Sequence, residues 1–63
     1  MDELEQAALD DAYAAHIGDL FKTLVRSLVT GEETDEYEQG CVDRFVVGLS
    51  KARRAMELAK SAL

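Results

Sequence analysis

The stretch "VTGEETDEYEQG", residues 29–40, decides how this chain folds. Two glycines, Gly31 and Gly40, bracket six acidic or hydroxyl residues and one tyrosine. It reads either as a flexible acidic linker or as a tight turn running straight into a helix. Gly31 suits the left-handed backbone position just past a helix end. Thr30 or Thr34 can cap the helix that follows, and Glu32, Glu33, Asp35 and Glu36 suit its partially positive N-terminus. The short-turn reading places Gly40 inside the second helix, at a cost of about 1 kcal/mol relative to alanine. The competing reading is a longer loop, with the second helix starting near Cys41.

Apolar periodicity on either side favours the short turn. Upstream, Tyr13, Ile17, Leu20, Phe21, Leu24 and Leu28 recur at helical spacing and form one stripe, which Val25 and Val29 widen. Asp19, Lys22, Thr23 and Arg26 take the other side. Asp2 with Glu5 has the spacing of a capping box. Before Tyr13 the stripe weakens, and the first turn or two are expected to fray or to lean on a partner. Downstream, Val42, Phe45, Leu49, Ala52, Met56, Ala59 and Leu63 alternate in steps of three and four, an a/d seam. Cys41, Gly48, Ala55 and Ala62 make a second line of small residues at seven-residue spacing. The expected organisation is a single helical-hairpin domain over 1–63: helix 1 about 3–30, a turn about 31–34, and helix 2 about 35–63.

Charge placement suits a chain folded back on itself. Residues 1–19 carry six acids and no base, and residues 44–63 carry five bases and one acid. Folding at Glu32 sets Asp10 and Asp11 level with Arg54 and Arg53, Asp19 with Arg44, Lys22 with Asp43, and Arg26 with Glu38. Exposed pairs of this kind contribute about 0–1 kcal/mol each, enough to bias orientation. The same distribution also suits each helix dipole separately.

A chain of 63 residues is too short for one core to stabilise comfortably. One cysteine excludes an intrachain disulfide, and one histidine with no Cys/His cluster argues against structural zinc. Association with another chain is the remaining source of stability. The apolar share is too high for disorder, and no run reaches the ~20 residues of a membrane span. The acidic N-terminus does not resemble a signal peptide, so a cytoplasmic location with Cys41 reduced is expected. The net charge of −6 disfavours non-specific contact with nucleic acid or anionic membrane.

Candidate sites are few. His16 and Asp19 can reach one ion but lack further ligands, so no metal or other cofactor is expected. Cys41 has acidic neighbours and reads as a packing residue; on a two-fold axis, its oxidation would cross-link two chains. Tyr13 and Tyr37 are candidate contact aromatics, and Tyr37 is expected to cover the core's end with its hydroxyl in water. Arg44, Lys51, Arg53, Arg54 and Lys60 make the C-terminal half basic, and Lys51, Arg53 and Arg54 are the candidate nucleic-acid contacts. No phosphate loop, nucleophile elbow or catalytic triad spacing occurs, so the chain is not expected to be an enzyme.

The two stripes carry more apolar surface than one helix–helix contact can cover. The expectation is an all-α antiparallel hairpin that dimerises into a four-helix bundle. Its interface residues are Ile17, Phe21, Leu24, Leu28, Cys41, Val42, Phe45, Leu49 and Met56. The expected role is a small acidic protein-interaction module, an adaptor, inhibitor or regulator, that binds an unidentified protein partner and also self-associates. A nucleic-acid-binding hairpin dimer and an accessory subunit of an enzyme complex are the alternatives.

Overall fold

Alanine, leucine and charged straight-chain residues without proline leave the backbone free to stay helical on both sides of the turn. The computed structural model describes residues 2–63. Helix α1 spans Glu3–Thr30 and helix α2 spans Asp35–Ala62, each 28 residues long. At ~1.5 Å per residue such helices are ~42 Å long. The two pack side by side over this length, and the Cα atoms extend over 47 × 16 × 9 Å. The hairpin is thus one helix thick.

Both N-termini are capped by their own sequence. The Asp2 carboxylate accepts from the Glu5 backbone N–H at 2.7 Å. The Thr34 hydroxyl accepts from the Tyr37 N–H at 3.2 Å. Each cap satisfies an N–H that has no intrahelical acceptor. Gly40 lies inside α2, where nothing but the distant Arg44 guanidinium approaches it.

The turn departs from expectation at Gly31. Its backbone is extended, with φ −97° and ψ −171°, and no described residue has positive φ. The chain leaves α1 directly in the extended geometry that Thr34 needs as a cap, so no left-handed step is required. Gly31 is glycine for a steric reason instead. A Cβ there would overlap the ring of Tyr37, which lies across the turn. The Tyr37 hydroxyl donates to the Ser27 carbonyl at 3.0 Å, where solvent exposure had been expected. That carbonyl also accepts from the Gly31 N–H at 3.0 Å. The last turn of α1 and the first turn of α2 are therefore joined through one oxygen.

The seam is also rotated from the expected one. Cys41, 3% exposed, is the one buried residue among those described. Around it, Leu20 and Leu24 of α1 meet Phe45 and Gly48 of α2. Leu9, Tyr13, Ile17, Phe45, Leu49, Ala52, Met56 and Ala59 are half-buried. Val42 and Leu63, expected on the seam, are exposed, and so are Phe21 and Leu28 of the α1 stripe. The contact runs along Cys41 and Gly48 because small side chains let the helices approach. Leu20 already occupies the space beside Gly48, 2.8 Å from where a Cβ would stand. Larger neighbours are turned to the flanks.

None of the expected ion pairs between helices forms among the described residues. The ion pair present is Arg54–Glu57 within α2, at 3.0 Å. Partners one turn away on the same helix are nearer: Gln6 donates to Asp10 at 2.8 Å and Gln39 to Asp43 at 2.9 Å. Arg44 donates to the Cys41 sulfur at 3.4 Å.

Two glycine substitutions separate local from tertiary effects. Gly31→Ala should destabilise the hairpin by about 1–3 kcal/mol, because the Tyr37 ring must move. Gly18→Ala, at a site with open space around it, should stabilise it by up to about 1 kcal/mol through helix propensity. Urea denaturation followed by circular dichroism reads both.

Candidate interaction surface

A single layer of two helices has two edges and two broad faces, and the seam covers neither face. Ten large apolar side chains are exposed among the described residues, against one buried residue. Five of them gather on one face. On α1, Phe21, Val25 and Leu28 are rotated by roughly 65–125° from the seam line, taking ~100° per residue. On α2, Val42 and Val46 are rotated by a similar angle in the same sense. Equal rotation on two antiparallel helices leads to the same broad face. The register then places them together. Ser27 is level with Tyr37 and Leu20 with Gly48, so Val25 is level with Val42 and Phe21 with Val46. Phe21 is 57% exposed and Val46 51%.

The other broad face differs. Near the turn it carries Thr23, Arg26 and Arg44, all exposed. Toward the open end it holds a shallow groove of about 470 Å³. Leu9, Tyr13 and His16 of α1 and Ala55, Met56 and Ala59 of α2 line it, with Lys51 at the rim. The groove exists because alanines on both helices leave room that no larger side chain fills.

The expected interface residues divide accordingly. Ile17, Leu24, Phe45, Leu49 and Met56 are half-buried along the seam, and Cys41 is buried in it. Phe21, Leu28 and Val42 stand outward on the apolar face. Val25 and Val46 belong with them; Val25 is the residue that widens the α1 stripe in the sequence, and only the register joins the two into one patch. Cys41 is enclosed within the hairpin, which removes it from a two-fold axis between copies. Lys51, Arg53 and Arg54 do not share a direction. Lys51 borders the groove, Arg54 is engaged by Glu57, and Arg53 projects toward the apolar face, ~100° away from Arg54. Among the described residues no three of His, Cys, Asp or Glu come together as metal ligands, His16 and Asp19 included. No helix among them is long and apolar enough to cross a membrane.

The Tyr37 hydroxyl has a raised pKa. The neighbouring Cys41 side chain, then burial, then the charge of Glu32 raise it above the ordinary 10.0, with Arg44 opposing. A raised folded-state value means that its stabilising contribution is complete below pH 10 and is lost as pH rises through the folded pKa. The stability difference between the wild type and Tyr37→Phe should therefore be constant through neutral pH and shrink above pH 10. Parallel thermal melts of the two chains across that range check the sign.

No protein-family model, curated protein or solved structure matches this chain.

Proposed function

We propose that this chain is a small acidic protein-interaction module. It presents a helical face to a protein partner as an adaptor, inhibitor or regulator, and it self-associates into a four-helix bundle. It performs no chemistry of its own. The observation that carries this reading is the ratio of exposed to buried apolar side chains, ten against one. An isolated domain seldom leaves contiguous apolar surface open unless a partner covers it. The net charge of −6 makes this reading stronger than the nucleic-acid one, and the candidate contacts Lys51, Arg53 and Arg54 point in different directions. Phosphate binding rests on net positive charge facing the backbone, and the hairpin as a whole is acidic.

Affinity capture tests it. The wild-type chain and the Phe21→Glu and Val46→Glu variants are immobilised, and bound protein from the native host is identified by mass spectrometry. A defined protein retained by the wild type and lost by both variants is the expected result, since both substitutions remove the face on which the bundle that presents the partner's site is assembled. Salt-sensitive retention of RNA, lost on charge reversal by Arg53→Glu and Arg54→Glu, would replace this reading with nucleic-acid binding.

A further inference from the structure

Surface area and charge together say what covers the apolar face. The chain exposes 4875 Å² for 6.9 kDa. A folded monomer of that mass exposes about 4000 Å², so the excess is roughly 900 Å². A standard stable interface buries about 800 Å² from each partner. The excess is thus about one subunit's share of one such interface.

The face is also polar at its two ends in opposite senses. Beyond Leu28 lies the acidic tip, where Asp35 and Glu38 are exposed on the same side. Beyond Val46 lies Arg53, also exposed and on the same side, with no ion-pair partner among the described residues. The next acid on that side of α1, Asp10, stands about one turn further toward the open end, where Gln6 donates to it. From tip to open end the face therefore reads acidic, apolar, then Arg53, with Glu57 on the next turn of α2 held by Arg54. A second copy turned end over end matches this order. With the two-fold axis at Val25 and Val42, the tip of one hairpin reaches ~12 Å past the axis, close to Arg53 of the other at ~16 Å, by helical rise. A two-fold axis along the hairpin would instead set five carboxylates of each tip, Glu32 to Glu38, side by side.

We infer that the face formed by Phe21, Val25, Leu28, Val42 and Val46 binds a second copy of this chain, antiparallel, with Arg53 of each copy against the acidic tip of the other, Asp35 nearest. The inference rests on the interaction-module reading and specifies its self-association. The contact is isologous, so each substitution acts twice. It leaves the groove beside Tyr13 and Met56 on the outside of the dimer, away from the two-fold axis.

Sedimentation equilibrium at micromolar concentration tests it, with circular dichroism on every sample. The wild type should be a dimer. Val25→Glu and Val46→Glu should each weaken it at least about tenfold while staying helical, as hot-spot truncations do. Val47→Glu, on the opposite side of α2, should leave the dimer intact. Arg53→Glu should weaken it, and adding Asp35→Lys should restore it. Spin labels on Glu33→Cys in a Cys41→Ala background should sit about 25 Å or more apart, set by twice the axis-to-tip distance. A helical wild-type monomer overturns the inference and leaves binding to a different protein standing. Equal disruption by Val47→Glu overturns the choice of face. Labels in near contact overturn the antiparallel arrangement.

Discussion

Two helices joined by a short turn make one contact, and that contact is a line. This constraint governs everything else in the molecule. A third helix would give each element two neighbours and a closed core. With two, each helix buries a narrow strip and leaves the rest of its circumference in water. Among the described residues Cys41 alone reaches full burial, because it stands where the strip is tightest and Arg44 closes over it. Every other apolar residue is shared between the hairpin and whatever lies outside it.

The narrow contact explains why the turn is built so firmly. With little core to hold the helices at a fixed rotation, the register depends on specific polar geometry at one end. The Ser27 carbonyl accepts from both the Gly31 N–H and the Tyr37 hydroxyl. The Thr34 cap sets where α2 begins. The absence of a side chain at Gly31 lets the Tyr37 ring lie flat against the turn. These three features form one unit, and they set which line of α2 faces α1. Further along, Gly48 receives Leu20 and keeps the helices close. From there to the open end alanines replace larger residues, and the contact loosens into the groove beside Tyr13 and Met56.

Rotation is what divides the two broad faces. Placing Cys41 and Gly48 inward carries Val42 and Val46 to one flank and Arg44 and Lys51 to the other. The same choice on α1 sends Phe21, Val25 and Leu28 to the first flank and Thr23 and Arg26 toward the second. A hairpin with one greasy face, and a second that is polar near the turn and grooved toward the open end, follows from two helices whose stripes are wider than their seam. Function, on the reading proposed above, resides in that surplus width.

The sequence by itself determined two helices, the cap at Asp2, Thr30 or Thr34 as the second cap, and the apolar spacing along each. All of this is local, since a cap or a 3.6-residue period involves residues a few positions apart. Tyr37's bond to Ser27, the steric need for Gly31 and the choice of Cys41 over Val42 as the inward line depend on residues brought together across the turn. The interhelical ion pairs that charge order suggested are missing for a related reason. Matching sequence levels says nothing about angle around the axis, and partners one turn away on the same helix were closer. Which apolar residues face outward together was decided by tertiary structure alone, because the rotation of one rod against another is set by the contact between them and by no pattern within either.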